Sequence, residues 1–301
     1  MTTPTTNILI ATDFSEAAAT ARSQAVDIAT RTRADVTLLH VVVPPETWDA
    51  IVGSIELGID NKKLLEASVD GARTRLLEMA QLLKDENLAV HTRVEIGHPD
   101  AVIPKLASAL EADLVCVGSH GYDSSERLGL GSVAARVTRS AECDVLVARA
   151  RSSAVGGYRR ILVPTDFSEL AEAALERAVE LIAPDGTIDV AHWWHTSFSA
   201  HGYYASFETQ VEYRERVAET VAAHGEQLVA KFRDRHAAIE FSSFAGSPSK
   251  LIPGYLQVED GYDLVVMGSH GRRGIRRLLI GSVAEKVVQN APCSVMVVHR
   301  P

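Results

Sequence analysis

Short apolar runs alternate along the chain with longer stretches in which apolar residues recur every third or fourth position. The runs fall near 7–12, 35–43, 89–96, 113–118 and 143–149. They carry few charges and read as strands buried on both faces of a parallel sheet. Between them, 15–31, 60–86, 99–111 and 131–140 show the helical period, with charges on the intervening positions. Ser15 and Glu16 stand where the first helix should start. Alternation of this kind predicts an α/β fold, a parallel sheet covered by helices on both faces. Right-handed crossovers make it doubly wound, with ligands received at the carboxyl ends of the strands. In a 3-2-1-4-5 order the first and fourth strands are neighbours, so whatever follows each of them shares one crevice.

The whole pattern then repeats. Ile8-Leu9-Ile10-Ala11-Thr12-Asp13-Phe14-Ser15 returns as Ile161-Leu162-Val163-Pro164-Thr165-Asp166-Phe167-Ser168, and Cys143-Asp144-Val145-Leu146-Val147 returns as Cys293-Ser294-Val295-Met296-Val297. A period of about half the chain means a duplicated domain rather than a solenoid. The expected division is residues 1–150, a polar, glycine-rich linker at 151–157, and residues 158–301.

The chemistry sits after the fourth strand of each repeat. Gly118-Ser119-His120-Gly121 is followed by nine residues and Gly131-Ser132-Val133; Gly268-Ser269-His270-Gly271 is followed by nine residues and Gly281-Ser282-Val283. These glycines lie where a strand ends and a helix begins. Glycine admits positive φ and close approach of a ligand to bare backbone. The first N–H groups of a helix are unpaired and its dipole favours an anion, so the expectation is a phosphate cradle. It is not a Walker loop, because no lysine follows either terminal glycine. Asp13 and Asp166 end the first strands, and two readings are open: a turn or helix-capping residue, or a carboxylate facing a base or ribose. His120 and His270 lie inside the loops. No nearby serine or acid is expected to pair with them as nucleophile and base, so no catalytic residue is assigned.

Composition narrows the setting. The chain has 301 residues and a net charge of −9, which argues against general binding to nucleic acid or to an anionic membrane. No apolar run approaches the ~20 residues of a membrane span, and Met1–Thr6 lacks a signal-peptide pattern. The three cysteines, Cys116, Cys143 and Cys293, lack framework spacing and read as reduced structural thiols of a cytoplasmic protein. His192-Trp193-Trp194-His195 and His201 contain possible zinc ligands. Side chains at a strand end alternate faces, so no metal site is assigned and the group is expected to cap the sheet edge. Arg214, Arg216, Lys231, Arg233 and Arg235 read as a solvated helix face.

The doubled Gly-x2-Gly-x9-Gly-Ser spacing, the Thr-Asp-Phe-Ser endings and Ala291-Pro292-Cys293-Ser294-Val295 resemble the universal stress protein family over essentially the whole chain. The resemblance implies two tandem Rossmann-like domains of the adenine nucleotide α-hydrolase-like kind, each a five-stranded parallel sheet of order 3-2-1-4-5. It implies binding of ATP, AMP or ADP, with Mg2+ accompanying ATP. The implied contacts are Thr12, Asp13, Val41, Gly118, His120, Gly121, Gly131, Ser132 and Val133 in the first repeat. In the second they are Pro164, Thr165, Asp166, Gly268, His270, Gly271, Arg272, Arg273, Gly281, Ser282 and Val283. Pairing through the last strand implies an intramolecular pseudo-dimer or a further homodimer. The implied role is a nucleotide-dependent stress-response regulator with an unknown protein partner; a slow ATPase and an adaptor with vestigial sites are the alternatives. The repeats differ. Asp123 and Glu126 make the first loop acidic, whereas Arg272, Arg273, Arg276 and Arg277 make the second basic. Unequal sites are therefore expected, the second favouring the more phosphorylated nucleotide unless Trp193, standing where the first repeat has Val41, fills its adenine side.

Overall fold

A computed structural model describes residues 5–44, 61–84, 88–121, 129–150, 152, 156–194, 207–236, 238–258, 261–271 and 280–300. The chain divides into two compact units, Thr3–Ala150 and Arg151–Pro301.

The first unit runs β1 (Asn7–Ala11), α1 (Glu16–Thr32), β2 (Asp35–Val42), α2 (Asn61–Lys84), β3 (Val90–Ile96), α3 (Pro99–Ala109), β4 (Leu114–Gly118), α4 (Ser132–Ser140) and β5 (Asp144–Ala148). Its strands lie in the order β3-β2-β1-β4-β5, all parallel. The element ends fall within two residues of the sequence reading, the usual fraying of helix and strand boundaries. The central strands are apolar because both their faces are covered: Leu9, Ile10, Val115, Cys116, Val145 and Leu146 have no exposed surface. Ser15 caps α1 by accepting a hydrogen bond from the Ala18 N–H at 3.2 Å, and the helix ends on Arg33, left-handed at φ 58°. Asp113, just before β4, accepts from the Thr6 and Asn7 N–H groups at 2.8 and 3.0 Å and fixes where β1 begins.

The second unit runs β6 (Tyr158–Pro164), α5 (Glu169–Leu181), β7 (Ile182–Trp194), α6 (Phe207–Ala230), β8 (Ile239–Ala245), α7 (Pro248–Val258), β9 (Leu264–Gly268), α8 (Ser282–Asn290) and β10 (Ser294–Val298). Its order, β8-β7-β6-β9-β10, is the same pattern again. Asp263 takes the Arg159 and Arg160 N–H groups as Asp113 does in the first unit. One region is reinforced. Asp189 Oδ2 accepts from the Tyr262 hydroxyl at 2.6 Å and from the Arg160 guanidinium at 3.1 Å, and that guanidinium lies 4.3 Å from the centre of the Tyr262 ring. At the same register the first unit has Asn7, Thr37 and Ala112, which line a groove of 390 Å³. In the turn after α6, rather than on a helix face, Lys231 pairs with Glu172, Arg233 with Glu226 and Arg235 with Glu176, so these bases are solvated but not idle.

Candidate functional site

β1 and β4 are hydrogen-bonded neighbours, which places the residues following each at one end of the sheet. After β1 the chain makes a tight turn. Thr12 Oγ1 accepts the Phe14 N–H and Asp13 Oδ1 accepts the Ser15 N–H, both at 3.0 Å. Phe14 is thereby held at φ 66°, a left-handed conformation that disfavours an aromatic residue by about 1–3 kcal/mol. Its ring stacks on His40 at 4.5 Å, and the Arg75 guanidinium carbon lies 3.9 Å from the ring centre. His40 is fixed in turn by a 2.7 Å hydrogen bond between Nδ1 and the Thr12 carbonyl, in which the ring nitrogen donates. Burial, the largest influence on His40, pushes its pKa below the ordinary imidazole value and keeps the ring neutral.

After β4, Ser119 donates its N–H to the Ala148 carbonyl at 3.1 Å, and its own carbonyl receives the Gly131 N–H at 2.7 Å. That bond closes the glycine loop at its base. Gly131 is the N-cap of α4 and offers no side-chain cap, so the first N–H groups of the helix look outward. The two segments meet: Thr12, Asp13, Val41, Gly118, His120, Gly121, Gly131, Ser132 and Val133 all line one cavity of 510 Å³. Every first-repeat position named from the sequence is in that wall. His40, Pro99, Ile103 and Val117 also line it. Of these, His40 carried a sequence signal, its return as His192; the apolar members carried none beyond being core-like.

The second unit repeats the frame. Thr165 Oγ1 accepts the Phe167 N–H at 3.0 Å, Asp166 Oδ1 the Ser168 N–H at 3.1 Å, and Phe167 stands at φ 62°. Pro164 ends β6 and Gly268 ends β9. Gly271 faces Asp166, Gly281 donates its N–H to the Ser269 carbonyl at 2.6 Å, and Ser282 and Val283 open α8. His270 lies beside Ser269, with 3.0 Å between Nδ1 and the hydroxyl. Arg272 and Arg273, like Asp123 and Glu126 of the first loop, lie outside the described residues.

A model of the universal stress protein family matches residues 4–149 and again 157–299. The chain belongs to the universal stress protein family. A Staphylococcus haemolyticus protein described as a universal stress protein is 37% identical over 144 residues, 48% of this chain and 84% of that protein. A Staphylococcus aureus protein of the same description is 35% identical over 144 residues, again 48% of this chain and 83% of its own length. Among solved structures, a universal stress protein from Archaeoglobus fulgidus covers 98% of this chain and 97% of its own at a TM-score of 0.66 and 20% identity, a likeness of fold.

Within that family frame the geometry corrects three sequence expectations. The motif glycines do not use positive φ: Gly131 sits at φ −63° and Gly281 at −64°, open to any residue. They are glycines because of proximity. A β-carbon on Gly118 would lie 2.7 Å from the Ala17 carbonyl carbon, and one on Gly121 would lie 2.8 Å from Asp13 Oδ2. Second, a serine does stand beside each loop histidine: Ser119 Oγ is 2.9 Å from His120 Nδ1. Ser119 and Ser269 are each only 2% exposed, and each hydroxyl lies within hydrogen-bond distance of the neighbouring imidazole. Third, Trp193 does not cap a sheet edge. β7 runs between β6 and β8, and the Trp193 ring stacks on Phe244 at 5.3 Å and meets the edge of Tyr255, on α7, at 5.6 Å. His192 Nδ1 is 2.7 Å from the Thr165 carbonyl, the same role His40 plays. Among the described residues no group of three or more His, Cys, Asp and Glu could hold a metal ion; His195 and His201 lie outside them. The same residues contain no helix long and apolar enough to cross a membrane. Asp13 takes the turn reading, with Oδ1 closing the turn, while Oδ2 lies against Gly121 in the cavity wall.

Proposed function

We propose that the first unit binds an adenine nucleotide in its cavity, and that the protein acts in the cytoplasm as a nucleotide-dependent regulator of stress responses rather than as a catalyst. The observation that carries this reading is the convergence of the nine motif positions on one wall. A volume of 510 Å³ falls within the range of small-molecule sites, roughly 300–1,000 Å³. The parts suit the ligand's parts. Val41, Ile103 and Val117 supply apolar surface for a base, and Asp13 Oδ2 supplies an acceptor for its amine or for a ribose hydroxyl. Gly131, Ser132 and Val133 supply the uncapped start of α4 for phosphate oxygens, with the Ser132 hydroxyl as a further donor. Mg2+, if it accompanies ATP, is brought by the phosphates.

The second unit keeps the frame but places a large ring where the first has a small side chain. Trp193, only 6% exposed, replaces Val41 and is packed between Phe244 and Tyr255. This supports one principal nucleotide site per chain, in the first unit, over the expectation that the basic second loop makes the better ATP site. Mass spectrometry of ligand released from purified protein, with calorimetry of ATP and AMP on the whole chain, tests the reading. Adenine nucleotide at close to one per chain is expected. Absence of any bound or titratable nucleotide overturns the binding, and turnover near the ~10 s⁻¹ typical of enzymes overturns the non-catalytic role.

A further inference from the structure

A second, smaller cavity of 280 Å³ lies behind the Asp13 turn, between α1 and α2. Right-handed crossovers put these helices on the sheet face opposite α3 and α4. Its wall includes Thr12, Phe14, Ser15, Arg22, Arg75 and Glu78. Thr12 is therefore common to both cavities. Three features of this pocket favour a negative group. Arg22 and Arg75 bring two guanidiniums to it from different helices, and among the described residues neither is paired with a carboxylate. Ser15, the N-cap of α1, uses its oxygen to accept the Ala18 N–H, which leaves the hydroxyl hydrogen to donate. Ser15 also brings the start of α1, the positive end of its dipole, to the wall.

The arginines are not demanded by the fold. Seven residues after its own capping serine, α5 of the second unit has Leu175, fully buried, where α1 has Arg22. Where Arg75 covers Phe14, the second unit has His224 beside Phe167 at 6.1 Å. The first unit thus carries a paired cationic feature that its duplicate lacks. Glu78 on the wall and the net charge of −9 disfavour a long polyanion or an anionic surface.

We propose that this cavity is a second anion site, specific to the first unit, which takes a small phosphate-bearing molecule between Arg22 and Arg75. It is independent of whether the larger cavity holds a nucleotide. Forked guanidiniums suit phosphate oxygens, and two of them at one small site give both affinity and orientation. The probe is inorganic pyrophosphate, titrated calorimetrically into the whole chain, into Arg22→Gln/Arg75→Gln, and into Gly131→Val. The intact chain should bind, the double glutamine variant should bind at least tenfold more weakly, and Gly131→Val should retain binding because its change lies on the other face. Circular dichroism melts check that the glutamine variant is folded, and Arg22→Lys/Arg75→Lys should recover part of the affinity through its charge. Equal binding by the glutamine variant overturns the site. Loss of binding in Gly131→Val also overturns it, because pyrophosphate would then be occupying the larger cavity.

Discussion

Gly121 lies against Asp13 so closely that a β-carbon on the glycine would sit 2.8 Å from the Asp13 Oδ2. The carboxylate cannot simply swing away, because its other oxygen holds the Ser15 N–H at 3.0 Å. Gly121→Ala should therefore displace Asp13, the one acid that the described residues bring to the cavity wall, without touching the core. The expected outcome is a loss of about tenfold in nucleotide affinity, equivalent to ~1.4 kcal/mol, with a melting temperature within a few degrees of the parent. Calorimetry and thermal melts on the same preparation separate the two effects.

The other motif glycines should respond in a graded way. On Gly131 a β-carbon would meet His120 Cα at 3.2 Å, and on Gly281 it would meet the Ser269 carbonyl oxygen at 3.3 Å. Alanine needs only a small adjustment there, whereas the branched methyls of valine crowd the helix start. Gly131→Ala should weaken ATP binding several-fold and Gly131→Val should abolish it. A Gly131→Val, Gly281→Val chain that still binds ATP like the parent would show the site to be elsewhere. Gly118 is a contrasting case, because its β-carbon would strike the backbone of α1. Gly118→Ala should destabilise the first unit by about 1–3 kcal/mol whether or not ligand is present.

Trp193→Val should restore to the second unit the side chain that lines the cavity of the first. The substitution removes a large buried ring, so a stability loss of about 3–5 kcal/mol is expected, comparable to other aromatic truncations. Nucleotide stoichiometry should rise from one towards two per chain. Unchanged stoichiometry in a folded variant would mean that something other than the tryptophan disables the second site.

His40 predicts a pH dependence. Burial lowers its pKa from the ordinary 6.5, outweighing the Thr12 hydrogen bond and the nearby Asp13, which act the other way; Arg75 adds to the lowering. The unfolded chain therefore takes up a proton before the folded one does. The contribution is fully present above 6.5 and is lost as pH falls below it towards the folded pKa, with a slope of at most about 1.4 kcal/mol per pH unit for one proton. His40→Gln should flatten the fall in the first unit's stability as pH drops below 6.5 in denaturant titrations. An unaltered slope would locate the titrating group elsewhere.

Strand β5 ends the strand order of the first unit and is buried along its length. In a fragment of residues 1–150 its outer edge would offer unpaired backbone to a second copy. Analytical ultracentrifugation of that fragment should show concentration-dependent association; a soluble monomer at high concentration would contradict it.

Much of this was legible in the chain itself. Strand-length apolar runs separated by helical periods specify parallel layers, and the doubled spacing specifies which loops matter. The reason for the glycines was not legible, because sequence shows that a side chain is missing but not whether φ or a neighbour forbids it. Nor could it reveal Phe14 and Phe167 in left-handed conformations, each held by Thr and Asp hydrogen bonds and by a histidine ring packed against its own. Ser119 precedes His120 directly, yet only the closed loop turns its hydroxyl towards the ring. Trp193 announced a difference between the repeats; that it packs inward against α7 depends on Phe244 and Tyr255, which are remote in sequence.

Trp193 also has an optical consequence. It and its neighbour Trp194 are two of the chain's three tryptophans. An indole held among aromatic rings emits as in a dry medium, and one pushed into water emits to the red. Any ligand that forces its way into the second unit must disturb that ring, while a ligand confined to the first unit leaves it dark to the event. The Trp193 contribution to the emission of the unlabelled protein, separated from that of Trp48 in the first unit, thus records entry into the second.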